Sequence, residues 1–500
     1  MSLHAQLSPE AQARLAAQRR TSTITSLIIA ILMMTLIGVI LLIIAMKFNK
    51  DEIPELISYS AENVEEDELD VRKVQTQTQR KPSAPSSSMA KVIASNSASP
   101  TAIPVPEIDV PDPSLNFGDG DGFGDGWGDG SDSGAGGGFG NIPASMKKRC
   151  SRADRLSRLN SSGGTEKCED AVVNGLRFLK KTQNKDGSWC DQKQVGMTGL
   201  ALLAFLGHCE TTMSEEFGET VFSAITYLVN KAMKNKGKLA TDFKDNHWCY
   251  EHGIAVYAIA EAYTLCQKSF GENIPNLPEA VQASSQFLIN SQHQKGGWDY
   301  AYSEDSGRGG DLSIVGWHLQ ALKAAKHTDL DLKNLTRSVR AGLEYSATCR
   351  NSNGAFGYSG PGLHGDGTTL AAVGALSFQI WGKSSSKEAR GACKFIDDNM
   401  KFGWNTGDAD LYGHYYAAQC MINFGGDPWK RYNEKFRDEV LKNQRPDGSF
   451  KPVGGGQKLN AVGGSFAGSG KFAEHYRACL SVLMLEVYYR FLPATGAKTN

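Results

Sequence analysis

Two hydrophobic patterns alternate along the C-terminal two-thirds of the chain. In EDAVVNGLRFLKKTQ, from Glu169, apolar residues recur at helical spacing with charges between them, which predicts an amphipathic helix burying one face. NKDGSW then interrupts the period with a Gly turn. MTGLALLAFLGHC, from Met197, is apolar almost all round, which predicts a helix buried on every side. The unit recurs. Its turns are DGSW ending at Trp189, KGGW at Trp298, NGAF at Phe356, KFGW at Trp404 and DGSF at Phe450, the last three intervals being about 46–58 residues. The gap between Trp189 and Trp298 is about twice as long and holds a degenerate unit opening with FSAITYLVNKAMKNKGKLATDF. Copies of one helical hairpin predict an all-α domain, with outer amphipathic helices around inner apolar ones. About six hairpins closing on themselves give a single (α/α)6 toroid over residues 166–494; an open superhelical solenoid is the alternative.

Upstream the pattern changes. Residues 23–46, TITSLIIAILMMTLIGVILLIIAM, carry no charge and are long enough to span a bilayer as a helix. No small-residue cleavage site follows, so the segment reads as a retained anchor rather than a signal peptide. Arg14, Arg19 and Arg20 precede it, against Lys47 and Lys50 after it. That bias makes residues 1–22 a short cytoplasmic tail and puts the C-terminal domain outside the cytoplasm. Residues 47–165 show no sustained apolar period: an acidic run, a Pro/Ser stretch and a Gly-rich run predict a disordered linker. FGDGDGFGDGWGDG lacks the closing Glu of a calcium loop, and KKRCSRADRLSR reads as a solvated basic patch.

Composition adds exclusions. With 53 Lys+Arg against 54 Asp+Glu, the chain gives no reason to expect nucleic acid. The ten cysteines form no CxxC pair, so no zinc ribbon is signalled. Cys150 with Cys168 is a candidate disulfide if the domain lies outside the cytoplasm. GSFAGSGKF departs from a phosphate loop at its first Gly and its last Ser/Thr position.

The turns also carry a motif. Gly175, Phe178, Leu179, Gln183, Gly187 and Trp189 read G-x-x-F-L-x-x-x-Q-x-x-x-G-x-W; Phe287, Leu288, Gln292, Gly296 and Trp298 repeat it; Gln444, Gly448 and Phe450 form a weaker copy. This resembles the QW repeat of triterpene cyclases such as squalene–hopene cyclase. The chain is similar to membrane-anchored proteins with prenyltransferase or squalene-oxidase repeats from planctomycete-type bacteria. The resemblance implies the terpenoid-cyclase and prenyltransferase α/α toroid, a single-pass protein of the bacterial inner membrane, and a structural role for Gln183, Trp189, Gln292, Trp298, Gln444 and Phe450 as clips between helices.

Candidate chemistry collects where inner helices begin. Asp311, His364, Asp366, Asp408, Asp410, His414, Glu474 and His475, with Glu251 and His252, all sit near such starts. Asp beside Gly at a helix start also caps it, so each carboxylate alone has a bland explanation. Together they predict a mouth of titratable groups, with Asp311, Asp366, Asp408, Asp410, His414 and His475 as catalytic candidates. Trp317, Tyr412, Tyr415 and Tyr416 are the expected cavity lining. Squalene-type cyclisation needs D-x-D-D, whereas Asp408-Ala409-Asp410-Leu411 stops short of the last Asp. Prenyltransferases bind zinc through D-x-C and a later His; no D-x-C occurs in the toroid, and His414, His475 and carboxylates are what could hold zinc. Three functional expectations follow: an isoprenoid-like apolar small molecule bound or transformed in the toroid, a non-catalytic scaffold tethered to reach a protein partner in the cell envelope, and a carbohydrate-active α/α-barrel enzyme.

Overall fold

The computed structural model describes residues 149–363, 365–453 and 470–490. The expected membrane helix, most of the linker and His364 lie outside them. Among the described residues no helix is long and apolar enough to cross a membrane.

The described residues are helical, without a strand. A short helix α1 (Arg152–Ser161) leads into α2 (Glu166–Thr182), α3 (Gln194–Gly207), α4 (Gly218–Lys234), α5 (Trp248–Ala262) and α6 (Leu277–Asn290). Then follow α7 (Leu312–Lys326), α8 (Leu335–Thr348), α9 (Thr368–Gln379), α10 (Lys387–Asn399), α11 (Leu411–Phe424), α12 (Gly426–Lys442), α13 (Lys471–Leu485) and α14 (Val487–Arg490). The alternation follows the expected pattern. In α2 a stripe from Cys168 through Val172, Leu176 and Leu179 is buried, while α3 is buried along nearly its whole surface. Each of α3, α5, α7, α9, α11 and α13 packs on the next, and α13 packs back on α3. The architecture is all-helical and consistent with an α/α toroid.

The turns show why the Gln, Gly and aromatic positions recur. Gln292 Nε2 donates to Gly296 O at 2.7 Å and to Ser338 O, on the next outer helix α8, at 2.8 Å. Gln183 makes the same pair of bonds to Gly187 O and Thr220 O. Gln444 reaches Gly448 O and Ala171 O of α2, joining the last turn to the first outer helix. Trp189 and Trp298 are buried, each donating its indole N–H to the outer helix before its turn, at Leu179 O and Leu288 O. Phe450 is buried without that bond.

The folded region begins upstream of Glu166. Helix α1 packs against α2 and α14, inside the stretch 47–165 that its composition marked as linker. The basic patch there is not simply solvated. Arg149 pairs with Glu261 at 2.7 Å and Arg155 with Glu169 at 2.8 Å, all four buried. Glu261 is shared with Arg490, at 3.0 Å, which also pairs with Glu486. Cys150 bonds to Cys209 at the end of α3, not to Cys168, which stays a buried free thiol on α2. The candidate pairing fails because Cys168 turns into the core 3.7 Å from Thr165 Oγ1.

Candidate functional site

A cavity of about 550 Å³ opens where α7, α9 and α11 begin. Asp311, Asp366, Asp408, Asp410, Tyr412 and His414 line it, with Tyr250, Tyr300, Arg308 and Tyr358. Four catalytic candidates that sequence spacing proposed are therefore joined in one mouth with His414.

Their environments differ. Asp311 is the N-cap of α7; its Oδ1 accepts from Ser313 N at 3.0 Å and Ser313 Oγ at 2.5 Å. It is 2% exposed, and burial pushes its pKa up to about 6, against the opposing bonds from Ser313 and the charge of Arg308. Arg308 Nη1 lies 3.6 Å from Asp311 Oδ2. That guanidinium is already engaged by buried Asp299 and stands over the Tyr300 ring at 5.5 Å. Asp366, exposed, caps the α9 turn by accepting from Thr368 N and Oγ1.

Asp410 reaches beyond its own helix. It is the N-cap residue of α11, and the backbone N–H groups of Tyr412 and Gly413 face its carboxylate. Its Oδ2 accepts from Thr369 Oγ1 of α9 at 2.7 Å, and its Oδ1 is sealed from solvent. Burial raises its pKa, against the opposing bonds from Thr369 and the backbone of Gly413 and Tyr412, with nearby Asp366 adding to the rise. Gly413 makes the approach possible: a Cβ there would lie 2.5 Å from Thr369 Oγ1.

His414 lines the mouth but is spent on structure. Its Nε2 faces the carbonyl of Asp408 at 3.0 Å, so that nitrogen donates. Nδ1 then accepts from Tyr432 OH at 2.9 Å. Burial holds its pKa down at about 4, leaving a neutral ring. His475 is elsewhere: it lies 3.0 Å from Cys190 Sγ, away from the cavity lining. Among the described residues, no group of three or more His, Cys, Asp or Glu is arranged to hold a metal ion, so the zinc expectation gains no ligand set.

The expected aromatic lining is corrected as well. Only Tyr412 faces the cavity. Trp317 stacks on Tyr415 at 5.2 Å and meets Tyr416 edge-on at 5.6 Å. All three are buried, and Gln320 joins both tyrosine hydroxyls. They fill the ring between the helices instead of lining an open space. Glu251 and His252 also turn inward, Glu251 accepting from Gly196 N and Thr241 Oγ1, and His252 from Leu239 N.

Sequence reasoning missed Tyr250, Tyr300, Tyr358 and Arg308. Tyr250 was findable, since it opens inner helix α5 as Tyr412 opens α11. Arg308 lies one turn before Asp311 in SGRGGD, a spacing that suits an ion pair. Tyr358 carries no periodic signal.

No family model matches the chain, and no curated protein matches it. Among solved structures it is similar to a type II terpene cyclase from Scytonema in complex with geranylgeranyl dihydroxybenzoate. That likeness has 13% identity over 67% of this chain and 99% of the other, with a TM-score of 0.43. The same cyclase with merosterolic acid A gives 13% identity, 68% and 99% coverage and a TM-score of 0.44. A protein from Actinoplanes gives 15% identity, 65% and 99% coverage and a TM-score of 0.41. These likenesses are too distant to assign a family.

Proposed function

We propose that the chain is a membrane-anchored (α/α)6 toroid of the terpenoid-cyclase and prenyltransferase-like kind, which takes a small molecule at its mouth and handles it by acid–base chemistry. The observation carrying this reading is the shared cavity, in which Asp311, titrating near 6, and the enclosed carboxyl of Asp410 face the same space. Asp311 is the group suited to give or take a proton near neutral pH, because it exchanges between its forms there. Tyr358 and Tyr412 line the same cavity as the two acids. The lining is polar, so the part of the ligand held here carries oxygen or nitrogen. That supports a polar substrate or a polar head group over a bare hydrocarbon chain, and keeps the carbohydrate reading open.

An isoprenoid-like ligand is the second reading. What favours it is the aromatic column of Trp317, Tyr415 and Tyr416, which continues inward from Tyr412 through its 5.2 Å edge contact with Tyr416. An apolar tail would have to displace that packing. Anchoring through residues 23–46 in a bacterial inner membrane, with the domain outside the cytoplasm, belongs to the same proposal. The Cys150–Cys209 bond supports it, because such bonds persist in oxidising compartments.

The test is native mass spectrometry of the full chain in detergent after exposure to lipid and polar metabolite extracts. A ligand retained by the wild type and lost in Asp410→Asn supports the mouth. Retention of nothing in any extract leaves the scaffold reading in its place.

A further inference from the structure

Asp311 does not stand alone at the mouth. Its Oδ1 accepts from Ser313 Oγ at 2.5 Å as well as from Ser313 N at 3.0 Å. A serine hydroxyl has one proton, and here the carboxylate takes it. Ser313 Oγ therefore accepts, at 2.7 Å, from the hydroxyl of Tyr250 on α5. Tyr250, Ser313 and Asp311, all buried, thus form one line of donors ending on the acid. Burial keeps the Tyr250 phenol protonated well above the usual tyrosine range, with the charge of Asp311 adding to the effect. It stays a donor throughout the range in which Asp311 titrates. Tyr412 OH of α11 donates to Ser313 O at 3.3 Å and steadies the middle member through its backbone. Tyr300 OH lies 3.4 Å from Tyr250 OH, too far for a firm bond, so the line begins at Tyr250.

Two consequences follow for Asp311. Both Ser313 donors fall on Oδ1, which leaves Oδ2, 3.6 Å from Arg308 Nη1, to carry the proton when the acid is neutral. In addition, each hydroxyl polarises the next, so the last bond strengthens and favours the ionised form. Other titratable groups lie within electrostatic reach. Asp299 and Tyr300 come from the preceding loop, His247 and Cys249 from the start of α5, Tyr345 and Cys349 from the end of α8. Tyr358 and Tyr412 complete the set. Among the described residues, however, only Ser313 hydrogen-bonds the carboxylate and only Arg308 pairs with it.

We propose that Tyr250 is a positioning residue for Asp311: acting through Ser313, it fixes which carboxyl oxygen carries the proton and makes that proton easier to lose. The inference rests on Asp311 being the acid–base group of the mouth, and it gives a role to a residue that sequence spacing did not single out.

The experiment is denaturant unfolding of the full chain in detergent from about pH 4 to 9, each background measured with and without Asp311→Asn. In wild type the stability difference between the two falls as pH rises above about 4 and levels off once folded Asp311 is ionised, past about pH 6. His247 is present in both members of every pair, so its own titration cancels. Ser313→Ala should move the levelling-off up by about one pH unit or more and Tyr250→Phe by about half a unit, each keeping the wild-type far-ultraviolet dichroism. The Tyr250→Phe, Ser313→Ala double variant should move it no further than Ser313→Ala alone, because the tyrosine works only through the serine. If Tyr250→Phe lowers stability but leaves the levelling-off where wild type has it, Tyr250 only packs and the proposal is overturned. Shifts that add in the double variant overturn it too, because the tyrosine then acts on Asp311 directly. Both of these results leave Asp311 as the acid–base group. A wild-type difference already level at about pH 4 removes Asp311 from that role and the positioning residue with it. The extract experiment decides separately whether the mouth holds a ligand.

Discussion

Asp311 and Asp410 look alike in sequence, each an Asp ahead of an inner helix, yet they do different work. Asp311 caps its helix through Ser313; Asp410 also turns across to Thr369 of the neighbouring helix. The difference was not legible because it depends on Gly413 admitting a side chain from another repeat. Asp311 also gives a clean test. Its folded value, about 6, lies above the ordinary 3.8, so ionisation costs stability in the folded state. The penalty is absent below about pH 4, grows as pH rises through the folded pKa and is full above it. Asp311→Asn keeps a capping side chain and removes the charge. It should therefore raise the thermal midpoint at pH 7, by the equivalent of up to about 3 kcal/mol, with the gain vanishing near pH 3.5. A variant less stable than wild type at pH 7 would mean that the pairing with Arg308 outweighs the burial.

At the scale of elements, the alternation of amphipathic and apolar helices was fully readable, because burial on one face or all faces writes itself into hydrophobic spacing. So were the turns: a Gln, a Gly with positive φ and an aromatic ring recur because each hairpin must fasten to the next outer helix. Gln292→Ala would strip the donor from Gly296 O and Ser338 O at once. A loss of about 1–3 kcal/mol in denaturant unfolding is expected, without change in ligand binding at the mouth. Gly448→Ala should cost more than Gln292→Ala, since φ is +86° there and a Cβ would meet Asn174 O at 2.0 Å. What the pattern could not give was α1. Its buried residues are Arg155 and Leu159, so charge in the sequence disguised a segment that packs through ion pairs.

For the whole domain, the two ends of the described chain meet in one buried network. Arg149 comes from upstream of α1 and Arg490 from the end of α14, and both hold Glu261 of α5. Composition hid this, because a basic linker and a buried basic anchor have the same letters; only the partner carboxylate, more than a hundred residues away, separates them. The Cys150–Cys209 bond sits beside Arg149 in sequence and ties that strand of chain to α3 across 59 residues. It therefore does two things: it shortens the unfolded chain's freedom and it keeps a guanidinium in contact with Glu261. The eight other cysteines are buried and unpaired, so a reductant should act on this bond alone. Reducing the wild type should lower its stability by about 2–4 kcal/mol, while the Cys150→Ser, Cys209→Ser double variant should start low and not respond. Adding Arg149→Met to each background separates the two effects. If the bond works by holding Arg149 in place, the arginine substitution will cost clearly less in the disulfide-free background than in the wild type. Equal costs in both would mean that Arg149 finds Glu261 unaided and that the bond acts on the unfolded chain only.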